Sequence, residues 1–432
     1  MQFHFLIISL PTMKKGNYVK LIVSILLFPM CSLMANVYHT QIFDTDIHTL
    51  RVYNPNQKPY YPVVDLHVNE YVELSFDDLH PSFRLFSYKI IHCNADWTVS
   101  NATEIEYAEG FSTGNIEDSS PSINTYVPYT HHSIRFPNEN VRFKQSGNYA
   151  IVIYTNNDEQ QVALTARVYV SENSITINGT VSGITDIDYK KEHQQLSIDI
   201  IPNNFTIHNP YRDIKVIVQQ NQRMDNEVSN VVPSIVQGNK ISYINERKLI
   251  FAAGNEFRNF DLSATRILSR RIEDISFVQT QYHALLYPDE IRKKAWYTQD
   301  YDINGRIIVN IQGTTENDTE ADYFFVHFSL PSTLLPEDVY LLGQFNHYHM
   351  DSSSIMKYNY EKRCYEKSLL LKQGGYDYAY VTRARESEKG TMNTIEGDYW
   401  ETENEYIVYV YYRSFNDQSD RLIGKKIIRT TN

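Results

Sequence analysis

The chain has 432 residues, with 34 tyrosines, 20 phenylalanines and 3 tryptophans against only 16 glycines, and a formal charge of −12. An apolar share of 42% with 21% charged residues is that of a folded chain, long enough for two or three domains. The acidic balance without a basic block excludes a nucleic-acid binder, and neither GxGxxG nor GxxxxGK[ST] is present to cradle phosphate.

At the start, Met13, Lys14 and Lys15 precede an apolar run over 21–28, and Ser32-Leu33-Met34-Ala35 offers a cleavage site. Residues 1–35 are therefore expected to be a secretory signal peptide, with Met1 or Met13 as the first residue. Cys31 does not make this a lipoprotein signal, because Phe28-Pro29-Met30 lacks the small residue that lipidation needs. Cleavage would remove three lysines and no acid, taking the charge to −15. It would leave Cys93 and Cys364, too few for a disulfide scaffold. No later run reaches ~18 apolar residues, so no membrane insertion is expected.

From residue 36 onward the pattern is that of strands. Period-two alternation rich in aromatic and β-branched residues predicts strands over 71–76, 84–91, 148–154 and 162–170. Ser171-Glu172-Asn173-Ser174 then breaks the pattern. Further strands are predicted over 174–181, 194–200, 214–219, 240–244, 260–268 and 276–286. The run 288–296 places a proline first, acids early and bases late, the order of a short helix. The last group of strands covers 323–328, 339–342, 365–371, 376–382 and 406–412. Short strands at regular spacing predict an all-β chain of tandem immunoglobulin-like β-sandwich domains with very little helix. The expected domains are 36–172, 173–300 and 301–432, the last of early-set immunoglobulin-like type.

Several groups invite a chemical reading, and none sustains it. Cys93 follows His92, but neighbours on a strand face opposite sides and cannot pair as thiolate and imidazole. Asp77-Asp78 closes a strand, as acids at a turn do. His131-His132 is expected in an aromatic, hydrogen-bonded loop. His347-Tyr348-His349-Met350-Asp351 resembles the opening of a zinc-hydrolase motif, yet Ser352 stands where the next histidine belongs. No catalytic residue, metal ligand or cofactor is expected. The segment from Val339 to Asn346, with Leu371-Lys372-Gln373-Gly374-Gly375-Tyr376, resembles a glycogen-binding-type immunoglobulin-like module. In that family a tryptophan follows the Phe-Asn pair by two positions and stacks on sugar, where this chain has Tyr348. Phe345 and Tyr348 are the candidate sugar platform of this alternative reading, an exported carbohydrate-binding protein.

A longer series of motifs covers nearly all of the chain after residue 36. It includes Ser75-Phe76-Asp77-Asp78-Leu79, His92-Cys93-Asn94-Ala95-Asp96-Trp97, Glu106-Tyr107 with Gly110-Phe111, Tyr129-Thr130-His131 and Pro137-Asn138-Glu139. It continues through Ser146-Gly147-Asn148-Tyr149, Gly254-Asn255-Glu256-Phe257-Arg258, Asp302-Ile303-Asn304-Gly305 and Glu401-Thr402-Glu403-Asn404-Glu405-Tyr406. This series resembles the Plug protein family of the type IX secretion system of Bacteroidota. The resemblance implies a non-enzymatic periplasmic protein, associated with the outer membrane through its partner. That partner would be the outer-membrane translocon barrel, whose periplasmic mouth the protein seals when no cargo is present. A monomer is expected. Within the series, Asp96, Trp97, Gly110, Phe111, Tyr129, Thr130 and His131 are the candidate partner-binding residues.

Overall fold

The computed structural model describes residues 37–430, apart from Asn204 and Lys294. The expected signal peptide lies outside the described residues. Among these, helix is confined to three four-residue turns and two 3-10 turns, and all other regular structure is strand. No described helix is long and apolar enough to cross a membrane. The all-β expectation holds.

The first domain is a two-sheet sandwich. One sheet runs Gln41–Ile42, Val162–Ser171, Gly147–Thr155, Phe86–Cys93 and Thr113–Asn115, with Val63–Asp65 added in parallel to Val162–Ser171. The other runs Ile47–Tyr53, Val72–Asp78, Thr130–Phe136 and Asp118–Pro121. Leu74, Phe76, Phe86, Ile90, Phe136, Ile151 and Val168 fill the space between them. His131 and His132 belong to strand Thr130–Phe136, not to a loop. Their polar sequence hid the strand because His131 pairs with a buried acid, while the His132 ring stacks on Phe76.

The remaining domains are not consecutive. Ile175–Ser182, His193–Pro202, Lys240–Tyr243 and Ile235–Gln237 form one sheet, and Ile214–Gln220 pairs with Glu405–Tyr412 and then Arg421–Arg429 in the sheet facing it. The last two strands of the chain thus complete the second sandwich. Between its parts sits the third sandwich. Its first sheet runs Ile272–Val278, Gln281–Leu286, Tyr323–Pro331, Cys364–Lys372 and Lys357–Asn359. Arg258–Asp261, Gly374–Arg383 and Ile307–Val309 lie opposite, with Asp338–Leu342 also pairing Gly374–Arg383. The expected cut between residues 300 and 301 therefore divides both sandwiches. Alternation identifies a strand but carries no information about its partner, here nearly two hundred residues away.

Two more local expectations are corrected. The run 288–296 is not helical in its described residues. Asp289 is drawn into the third core by Arg258, Tyr378 and Tyr380, and the amides of Arg292 and Lys293 both donate to the Ile395 carbonyl. The single strand expected over 276–286 is a hairpin, turning at Gln279 and Thr280 with φ of +48° and +66°. Both central residues of a type I′ turn need positive φ, and Gln-Thr lacks the usual Asn-Gly signal.

The three sandwiches are fused by buried contacts. Tyr169 of the first domain stacks on Tyr409 of the second at 4.4 Å, within a cluster that includes Cys93, Trp97, Ile217 and Tyr411. Both faces of Glu405–Tyr412 are consequently covered: Tyr406, Val408 and Val410 face one core, and Ile407, Tyr409 and Tyr411 the other. Nine of the twelve largest fully buried side chains are tyrosines, so tyrosine here is mainly core material. Cys93 and Cys364 are free and buried, and burial pushes the Cys93 thiol up to about 12.

Candidate interaction surface

The candidate residues lie in three separate stretches of the first domain. Asp96 and Trp97 lie in the turn that follows strand Phe86–Cys93. Trp97 has a φ of +65° and is buried, its ring edge-on to Tyr169 and under the Arg167 guanidinium at 4.3 Å. Asp96 is exposed and accepts from the Thr98 amide at 3.1 Å and its hydroxyl at 2.6 Å, which fixes the turn. Gly110 ends the short two-stranded antiparallel sheet of Ala108–Gly110 with Val141–Phe143. Its φ is +98°, and a β-carbon there would lie 2.1 Å from the Asn140 carbonyl oxygen. Only glycine suits that position. The next residue, Phe111, is 75% exposed while its amide donates to Asn140.

Sequence reasoning missed other exposed apolar side chains. Ile105 is 80% exposed on the turn Glu104–Tyr107, which a capping box between Thr103 and Glu106 holds. Phe415 is 87% exposed at the tip of the loop joining Glu405–Tyr412 to Arg421–Arg429, and Tyr211 is also exposed nearby in sequence to the paired Asp213. These loops are tied together. The Ala95 amide donates to Asp420 at 2.9 Å, Gln145 to Ser419 at 2.6 Å, and Lys215 to Asp420 at 2.8 Å. Lys144 donates through its amide to the Tyr107 carbonyl, and the Arg413 amide to Asp213. Loops of the first and second domains are thus anchored to one another, and each domain exposes apolar side chains on such loops. The available signal was an apolar residue isolated among polar ones, as in Ser414-Phe415-Asn416-Asp417.

Tyr129, Thr130 and His131 are elsewhere, Tyr129 buried and the other two half-buried. Tyr129 is buried, and its hydroxyl donates to the Ala321 carbonyl at 2.8 Å, in the third domain. Lys372 sits 4.2 Å over its ring and also donates to Asp77 at 2.6 Å. His131 approaches the same Asp77 at 2.7 Å, and the Tyr323 hydroxyl donates to it at 2.6 Å. Burial would push the Asp77 carboxyl up, but Lys372 and His131 hold it below its usual range. Thr130 pairs in the ladder with Asp78 and Pro121. Tyr129, and Asp77 behind His131, thus join the first domain to the third.

The remaining candidates are also absorbed by the fold. Tyr348 is buried, its hydroxyl donating to the Asn304 carbonyl, and Phe345 is half-buried beside Tyr376, so the two make no open platform for sugar. His347, His349 and Asp351 do not converge. His349 Nε2 meets the Thr40 carbonyl at 2.8 Å, and Asp351 accepts from Ser353. Among the described residues no cluster of three or more His, Cys, Asp or Glu is placed to hold a metal.

Fold and surface together define an all-β protein of three sandwiches that exposes large apolar side chains on its loops, Trp296, Tyr301, Phe415 and Phe111 among them. Residues 47–172 match the family model described as Type 9 secretion system plug protein 1st domain. Among solved structures, a hypothetical protein from Parabacteroides merdae is 39% identical. The alignment covers 91% of this chain and 100% of that one, with a TM-score of 0.90. Dimeric latent PorU from Porphyromonas gingivalis aligns at 10% identity over 89% of this chain and 34% of that one, with a TM-score of 0.13, which is no likeness of fold. No curated protein matches. The chain belongs to the family of the Parabacteroides protein, and its first domain to the type 9 secretion system plug family, which associates it with type 9 secretion.

Proposed function

We propose that this chain is a non-enzymatic periplasmic plug, which binds the periplasmic mouth of the outer-membrane type IX translocon barrel and seals the pore when cargo is absent. The observation that carries the reading is the match of the first domain to the plug family, together with the apolar loop tips that this domain presents. Exposed aromatics on anchored loops suit such contact, since little conformational freedom is lost when they are buried. Phe111 and Phe415 are the proposed anchors, with Ile105 and Tyr211 beside them in the loop set. Gly110 shapes the turn that carries Phe111, and the Ala95 amide next to Asp96 anchors Asp420 in the loop that carries Phe415.

Affinity purification of the tagged chain from detergent-solubilised membranes tests this directly. The native chain should recover a very large barrel protein in stoichiometric amount. The F111A/F415A double variant should fold normally and recover at least about tenfold less, as loss of aromatic anchors at an interface does. A native chain that recovers no barrel protein would reject the assignment. Undiminished recovery by the double variant would reject this surface alone.

A further inference from the structure

Arg167 lies on strand Val162–Ser171 and is only 4% exposed, yet among the described residues no carboxylate oxygen comes within 4.0 Å of its guanidinium. Its Nε donates to the Tyr38 carbonyl at 2.6 Å and its face covers Trp97. The two terminal nitrogens are poorly served. Nη1 points at the Met224 thioether at 3.2 Å, a weak acceptor, and Nη2 reaches His39 Nδ1 at 3.3 Å. Glu227 is the acid that acts on this charge, but it is engaged by Gln219 Nε2 at 2.6 Å. A buried cation without a paired acid is costly, and burial pulls the Arg167 pKa down accordingly.

Arg167 lines a recess of about 80 Å³ to which all three domains contribute. Tyr61 and Tyr169 come from the first, Gln219 and Gln222 from the second, and Gln344 and His347 from the third. Two further nitrogens in this lining, Gln222 Nε2 and His347 Nε2, are buried and make no hydrogen bond. Burial holds His347 down at about 3, so at neutral pH it is an uncharged imidazole that carries one N–H. The volume exceeds the roughly 10–15 Å³ that one water occupies, and the half-buried Gln222, Met224, Gln344 and His347 form its rim.

We propose that this recess binds a small carboxylate or oxyanion, with the Nη1 and Nη2 edge of Arg167 as the principal contact and Gln222 and His347 as supporting donors. A planar carboxylate matches the guanidinium edge with two parallel hydrogen bonds and replaces the thioether as acceptor. Because the lining comes from three domains, an occupant would bridge them and stabilise their association. A free small anion and the C-terminal carboxylate of a peptide share this chemistry.

The test uses the full chain at constant ionic strength, with chloride exchanged for acetate, for phosphate, or for a tripeptide carrying either a free or an amidated C-terminus. Thermal unfolding should show a saturable rise of about 2–4 °C with acetate or phosphate, absent with chloride. A rise with the free but not the amidated tripeptide assigns a peptide terminus as an acceptable source; a rise with the small anions alone restricts the site to them. Q222E places a carboxylate at the rim, so it should raise the midpoint without ligand and abolish the further rise. R167Q should lose the response; if it does not fold, the native titration and Q222E still decide. A midpoint that no anion moves saturably, or a response unchanged in Q222E, overturns the proposal. None of these arms involves the barrel, so their failure leaves the plug reading untouched.

Discussion

At the scale of single residues, the feature with the clearest consequence is a set of three carboxyl groups beside the loop 302–305. Burial, and for Asp377 the neighbouring Asp302 as well, raises Asp377 to about 8 and Asp302 to about 6, while burial raises Glu256 to about 7. Asp377 accepts from the amides of Ile303 and Gly305, and Asp302 from the amides of Asn304 and Phe257, so these acids organise the loop. Their folded pKa values exceed the unfolded ones of about 4, so the folded chain holds extra protons between. The stability they contribute is complete below about pH 4 and is lost as pH rises through 6 to 8. Denaturant unfolding should therefore give a lower free energy at about pH 8.5 than at about pH 5.5, and D377N should flatten that slope because its amide oxygen keeps both backbone bonds. An unchanged slope in D377N would remove Asp377 from the account. Nothing in Asp302-Ile303-Asn304-Gly305 revealed this, because Asp377 is more than seventy residues away in sequence.

At the scale of elements, the short two-stranded sheet of Ala108–Gly110 with Val141–Phe143 links local geometry to the proposed contact. Gly110 is required by its φ of +98° and by the Asn140 carbonyl beside it, and it delivers Phe111 to the surface. G110A should cost about 1–3 kcal/mol in denaturant unfolding, through strain and displacement of the Val141 strand. It should also lower recovery of the barrel, while F111A alone should leave stability within about 0.5 kcal/mol. Equal stability of G110A and the native chain would show that this strand pair tolerates the change. Elements of this kind were only partly legible. Strands such as Val72–Asp78 and Glu405–Tyr412 announce themselves by alternation. Strand Arg421–Arg429 does not, because Gly424, Lys425 and Lys426 interrupt its apolar period and a bulge falls opposite Val410 and Tyr411.

At the scale of the whole molecule, the three sandwiches meet at a buried knot. Arg306 of the third domain pairs with Glu405 of the second and donates to the Tyr61 hydroxyl of the first at 2.7 Å, while Tyr61 donates to Glu405 at 2.7 Å. The chain's last strands serve the second core and its contact with the first. A chain ending at residue 404 loses the partners of Ile214–Gln220 and exposes both sets of apolar side chains. It should be recovered as insoluble or unfolded protein, seen by the loss of a cooperative transition and by aggregation on size exclusion. A soluble, cooperatively folding truncation would show that the second sandwich closes without them.

By itself the sequence determined the fold class and, through its motif series, the association with type 9 secretion, because alternation and local turn chemistry are read over a few residues. Its acidic, tyrosine-heavy composition did not say whether the aromatic rings face solvent. Only the tertiary structure decided that most large tyrosines are core, that Tyr129 joins two domains, and that Phe415 stands at the surface. Those outcomes depend on which strands pair and which sheets face each other. Contacts between residues hundreds of positions apart set both, and no short window of sequence records them.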